Sequence, residues 1–295
     1  VERVWYRCWA LNFTAAFQQV FKISPFSGNV SMLEADIVLG QVHGKQGPPI
    51  PIMAHPPATT SDLSLADFLL AVSQYNNINS KEKQKGIKLD FKSIEAFEKS
   101  QDLIEIIPLK TFSQVSFPLW LNADILPGPV DPQTKPVDAK RFLTLASNHR
   151  RAVLSIGWTT SIGGDLSEGE YSGEHIGTML RTINENRVNQ TVTFPVRACL
   201  ASNSQPVILD LLRETSSLNS SLTVWSSEGD PVTVDRLRAL ILTVGLEKTY
   251  LDVPHSVALD LHLPSPAMEK CTYLQIVWWL SHLNSKPMYN IRTFP

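Results

Sequence analysis

Short runs in which apolar and polar residues alternate recur along the chain and set its organisation. Gly86 to Lys92 reads GIKLDFK, with Ile87, Leu89 and Phe91 interleaved by Lys88, Asp90 and Lys92, the period-2 pattern of a β-strand. The same habit appears in Leu33-Glu34-Ala35-Asp36-Ile37, Ile52-Met53-Ala54-His55, Trp120-Leu121-Asn122-Ala123-Asp124, Phe194-Pro195-Val196-Arg197 and Tyr250-Leu251-Asp252. Many strands that carry acids, amides or a cation near their ends predict a parallel barrel or sheet with its site at those ends.

Taken in order, the pattern predicts strands over Val4 to Trp9, Met32 to Leu39, Ile87 to Phe91, Pro118 to Asp124, Ala152 to Trp158, Thr191 to Ala198, Leu222 to Trp225 and Thr249 to Val253. An extra short strand ending at His55 follows the second. Helical spacing predicts helices from Phe13 to Phe21, from Ser64 to Gln74 with Asp62 as its cap, through Ile94 to Ile104, and over Asp138 to Ser147. Further helices are predicted over Glu174 to Glu185, Val207 to Leu212 and Val232 to Val244. Eight principal strands with helices between most of them predict a closed (β/α)8 TIM-type barrel over residues 1–253, followed by a tail over 254–295. A doubly wound open sheet is the alternative, but no Gly-rich phosphate turn follows any strand.

Composition changes this picture little. In a chain of 295 residues, net charge −2 and 18% charged residues give no sign of a general nucleic-acid binder or a polybasic membrane surface, and the short basic spots Lys81 to Lys88 and Arg150-Arg151 read as solvated faces. Cys8, Cys199 and Cys271 are widely spaced and form no CxxC, which disfavours a disulfide framework or a zinc cluster. Sequons at Asn12, Asn29, Asn189 and Asn219 exceed the roughly two that composition alone gives, and lean towards an extracellular or secreted glycoprotein, with the cytoplasm as the alternative. No signal peptide is readable from Val1 onward, and the apolar run Tyr273 to Leu283 is too short to span a bilayer.

The candidate chemistry is carboxylate-rich. Glu34 and Asp36 are two residues apart on a strand and so share a face, and Asp90 lies near the corresponding end of the next principal strand. Three converging carboxylates favour a shared cation, and all-oxygen donors suit Mg²⁺ or Ca²⁺. Ion pairing with Lys88, Lys92 or Arg197 explains the same residues without a metal. His55 is a candidate proton carrier, and Lys92 and Arg197 are candidates to clamp an anionic group. Asn122 and Asp124 repeat the two-residue spacing and are candidates to position substrate or orient a metal ligand; Trp158 and Trp225 close their strands, as pocket walls or as core, and Lys88 joins these four as a candidate pocket residue. Ser155 and Thr159 lack an adjacent base, which disfavours a serine hydrolase.

The runs MLEADI (32–37), PIMAHPP (51–57), GIKLDFKS (86–93), LWLNADILPGP (119–129), LSIGWTT (154–160), VTFPVRA (192–198), LTVW (222–225) and YLDV (250–253) together resemble the menorin family. That family is similar to the glycerophosphodiester phosphodiesterases among the phospholipase-C-like TIM barrels. The resemblance implies that Glu34, Asp36 and Asp90 hold a divalent cation, that His55 is one of two proton-exchanging histidines, and that Lys92 accompanies them. Substrates implied are glycerophosphodiesters or lysophospholipids. The family also implies a second role, as extracellular proteins acting with cell-surface adhesion receptors in neuronal dendrite patterning. The first strand departs from the family: Trp5-Tyr6-Arg7-Cys8-Trp9-Ala10-Leu11-Asn12 has no histidine where relatives resemble Trp-Tyr-His-Ala-x-Asn. Neither an arginine nor an indole exchanges a proton near neutrality, so an enzyme built on this chain lacks one of its two proton carriers.

Overall fold

A computed structural model describes residues 5–7, 32–80, 84–111, 118–130, 134–160, 166 and 169–264. The helix expected over Phe13 to Phe21 lies outside the described residues. Eight strands form one parallel path in chain order: β1 (Trp5–Arg7), β2 (Met32–Val42), β5 (Gly86–Phe91), β6 (Leu119–Leu126), β7 (Val153–Trp158), β8 (Val192–Arg197), β9 (Ser221–Trp225) and β10 (Thr249–Asp252). Two short strands leave this path, β3 (Ile50–Met53), antiparallel to β2, and β4 (Thr60–Ser61), parallel to it.

The expected closed barrel is not formed. Among the described residues β1 pairs only with β2 and β10 only with β9, so the sheet keeps two ends and is a curled half-barrel rather than a ring. Its sequential order also rules out the doubly wound alternative. The alternation of residues fixes which face of a strand is buried, whereas closure depends on tilt and stagger summed over all strands. The edge of β2 away from β5 is shared besides: β1 takes Met32 to Glu34, and β3 takes Ile37 to Gly40.

The curl is strong. Trp120 on β6 and Tyr250 on β10 meet edge to face with ring centroids 4.8 Å apart. Across a flat sheet four strand spacings would separate them by about 19 Å. Alternation sorts the two faces. Leu33, Ala35, Ile87, Leu89, Leu121 and Ile156 belong to the main apolar core under the helices, while their sequence neighbours face the concavity. One register row across that face runs Asp36, Asp90, Asn122, Ser155, Thr193 and Ser221, polar at every strand.

The helices behave as their patterns require. The helix Leu65–Ile78 buries Leu65, Phe68, Leu69 and Val72, but its cap is Ser64, which accepts from the Asp67 amide, rather than Asp62. Asp138, expected inside its helix, instead caps Ala139–Ala146 by accepting from the Arg141 amide. Ser172 and His175 cap Gly173–Glu185 reciprocally. Beyond β10, the helix His255–Asp260 brings Ala258, Leu261 and Leu263 into the main core. No helix among the described residues is long and apolar enough to cross a membrane.

Just before β5, at the end of the sheet opposite the strand-end rim, Asn76 brackets Lys85 by accepting from its amide at 2.7 Å and donating to its carbonyl at 2.8 Å. The Lys85 ammonium lies 5.8 Å from the centroid of the Tyr75 ring, with the residue 1% exposed. Burial lowers its pKa to about 8. The unfolded chain, with a lysine pKa near 10.4, holds a proton in the window above 8 that the folded chain releases, so folding stability should rise with pH there. Lys85→Met is expected to flatten that rise. Urea melts at pH 7 and 9.5 check it; a parallel pH dependence in both proteins would contradict it.

Candidate acid and cation cluster at the strand ends

The pleat of β2 turns Glu34 and Asp36 to the concave face, where parallel pairing sets Glu34 beside Lys88 and Asp36 beside Asp90. Glu34 takes Lys88 as its partner at 3.1 Å, with the two side chains 1% and 3% exposed. Asp36 and Asp90 close on one ammonium: Lys92 Nζ lies 2.8 Å from Asp36 Oδ1 and 2.7 Å from Asp90 Oδ2. The two carboxylates hold the Lys92 pKa well above the ordinary lysine value, against the opposing effect of burial. Lys92 is in turn fixed by its amide, which donates to the Ile37 carbonyl at 3.1 Å.

The sequence-predicted trio is thus brought to one face of two neighbouring strands, and lysines sit among its members. Among the described residues no group of three His, Cys, Asp or Glu side chains is arranged to hold a metal ion. The donor chemistry is nonetheless that of a hard cation. Asp36 and Asp90 offer only oxygen, and they already grip a cation between them. Glu34, one pleat below, would join them only by leaving Lys88.

His55 follows β3, whose exit is pinned to the same place by the Ala54 amide donating to the Asp36 carbonyl at 3.1 Å. Its Nδ1 lies 2.7 Å from the Pro56 carbonyl oxygen. A carbonyl only accepts, so Nδ1 carries a hydrogen in this contact. On β1, Arg7 pairs in register with Glu34; Cys8 and Trp9 lie outside the described residues.

The remaining candidates divide. Asn122 neighbours Asp90 in register and accepts a hydrogen bond from Ser155 Oγ at 2.5 Å. Asp124 pairs in register with Gly157, where an added Cβ would come within 2.7 Å of Pro195 and 3.1 Å of Asp124 Oδ1. Trp158 belongs to the helix-side core against Tyr171 and Phe194. Trp225 stays on the concave rim, with the Arg197 guanidinium 5.1 Å from its ring centroid. Cys199 is buried and its thiol pKa is pushed up to about 11 by burial, which makes it a poor nucleophile.

Arg197 is engaged by a residue that sequence reasoning missed. Its Nη2 and Nε donate to Asp230 at 2.7 and 2.9 Å, and its Nη1 to Thr160 Oγ1 at 3.0 Å. The Ser-Ser-Glu-Gly-Asp stretch ending at Asp230 carries turn residues, which flag a loop but not its target.

A Menorin N-terminal domain family model matches residues 12–258 of the chain. Human Protein FAM151B is 37% identical over 240 residues, which cover 80% of this chain and 76% of the relative.

Proposed function

The chain belongs to the menorin family, and from that premise we propose that its strand-end cluster cleaves a phosphodiester, a glycerophosphodiester or lysophospholipid, with help from Mg²⁺ or Ca²⁺. One observation carries the reading: two carboxylates in register on adjacent strands converge on a single cation, at 2.8 and 2.7 Å. Asp36 and Asp90 would hold the divalent ion, with Glu34 as the third donor. The bound ion would supply Lewis-acid polarisation of a phosphoryl oxygen. His55 would exchange a proton through Nε2. Lys92, moved off the carboxylates, would place its ammonium against a phosphate oxygen, and Arg197 would add its fork once parted from Asp230. Asn122, oriented by Ser155, would offer its amide beside Asp90. With the second family histidine absent, turnover should fall about 10²- to 10⁴-fold below that of a complete acid–base pair.

The test is diester cleavage by purified protein with Mg²⁺ or Ca²⁺ against the same reaction in chelator. Slow, divalent-dependent release of the alcohol is the expected result; release that ignores the chelator would remove the metal from the mechanism.

A second reading has its own support. Each acid of the trio already has a lysine partner, as in a site that keeps its architecture and does no chemistry. In that reading the protein is extracellular and acts with cell-surface adhesion receptors in neuronal patterning. The exposed sequon residues Asn189 and Asn219 agree with such a route. Divalent ions separate the two readings: a ligand at 100 times its Kd stabilises by about 2.7 kcal/mol, whereas a purely salt-bridged cluster gains nothing beyond ionic strength.

A further inference from the structure

Four donors meet on the carboxylate of Asp230. Arg197 gives Nη2 to Oδ1 at 2.7 Å and Nε to Oδ2 at 2.9 Å. Ser226 Oγ and the Ser227 amide reach Oδ2 at 3.2 and 3.0 Å. Thr160 and the Trp225 ring hold the guanidinium from other sides. The Arg197 amide donates to the Tyr171 hydroxyl at 3.0 Å, which fixes the end of β8 beneath it. A bidentate guanidinium with a backbone N–H and a hydroxyl is the donor set that recognises phosphate. A carboxylate satisfies the same fork with the same sign of charge.

The occupant comes from an exposed loop. Ser227, Glu228 and Gly229 are exposed, and Gly229 turns the chain with φ 82°, yet the Asp230 side chain is only 6% exposed. Asp230 therefore fastens the middle of the stretch between β9 and the helix Val234–Val244 to the strand-end rim, between the Ser226 amide on the Asp252 carbonyl and Val232 packed against the core. A buried ion pair is weak evidence of a gain in stability, because desolvation opposes its attraction. A replaceable occupant gives this one a role.

We infer that the fork of Arg197 is a binding site for the phosphate group of a ligand, and that Asp230 is its internal stand-in. Arrival of a phosphate exchanges the carboxylate out of the fork and releases the loop. This rests on the phosphodiester reading for what delivers the phosphate; the exchange itself needs neither metal nor turnover, so either can fail alone. Because Asp230 is tethered, it competes at an effective concentration on the order of millimolar or above, and wild-type affinity for a simple anion is correspondingly reduced.

Inorganic phosphate is the probe, titrated by calorimetry in chelator at constant ionic strength. Asp230→Asn keeps the shape and removes the charge, and should bind phosphate at least tenfold more tightly than wild type. Adding Arg197→Lys, which loses the fork, should cancel that gain. In the wild-type protein, saturating phosphate should speed amide hydrogen exchange across 226–230, a readout that stands even where Asp230→Asn folds poorly. Equal phosphate affinity in folded wild type and Asp230→Asn, a gain that survives without the Arg197 fork, or unchanged exchange in the wild-type loop would each overturn the inference.

Discussion

Asp90→Asn should abolish divalent-dependent diester cleavage while leaving the protein folded. The amide has the shape of the carboxylate and keeps an oxygen for Lys92 Nζ, now 2.7 Å from Asp90 Oδ2. Asp36 continues to neutralise that ammonium at 2.8 Å. What is lost is one negative charge from the pair that would grip a divalent ion, and a neutral amide oxygen is a far weaker donor to Mg²⁺ or Ca²⁺ than a carboxylate. The rise in melting temperature on adding the ion should vanish together with cleavage. Two measurements therefore read one substitution: product release with and without chelator, and thermal melts with and without the ion. Cleavage retained in Asp90→Asn would take this carboxylate out of the mechanism. A retained ion-induced shift would place the ion elsewhere.

The part of the cluster that sequence could reveal is the part that lies along strands. In GIKLDFK and MLEADI the alternation itself says that Lys88 and Asp90 point the same way from their strand, as Glu34 and Asp36 do from theirs; pairing of adjacent strands then puts all four on one face, with Asp36 beside Asp90. The same counting separates the two tryptophans. Trp158 is an odd step from Ser155 and so turns to the helices, while Trp225 is an even step from Thr223 and stays on the concave rim. What alternation does not carry is any relation between distant strands. Closure of the sheet depends on whether β1 and β10 meet, and neither strand's residues encode that meeting. The Arg197–Asp230 pair spans 33 residues and ends in a loop, where no period links the partners. Likewise Ser64 displaced Asp62 as a helix cap because its hydroxyl also donates to Asp67 Oδ2 at 2.6 Å, a reciprocal contact that residue type alone does not announce.

Lys92→Met is the substitution with the largest expected effect on stability, and it bears directly on what the cluster is for. Without the ammonium, Asp36 and Asp90 face each other in register on neighbouring strands, about 4.8 Å apart at the backbone, Asp36 1% exposed and Asp90 7%. Removing one partner of a buried charge cluster costs about 3–5 kcal/mol, or a fall in melting temperature on the order of 10 °C for a chain of this size. The variant has two ways to recover. It can take up a proton, since two close carboxylates raise each other's pKa; the folded state then holds a proton that the unfolded state has released, and stability climbs as pH falls towards 5. Or it can take up a divalent ion, which supplies at neutral pH the positive charge that lysine supplied before. A site built for a metal should be rescued by millimolar Mg²⁺ or Ca²⁺ at pH 7.5, and bind the ion more tightly than wild type because no ammonium competes. A cluster that is only an ion pair should be rescued by acid and remain indifferent to the divalent ion beyond a matched concentration of monovalent salt. Melts of Lys92→Met at pH 5 and 7.5, each with and without the ion, therefore decide between the lysine as a permanent member of the cluster and the lysine as an occupant of the place where a metal binds.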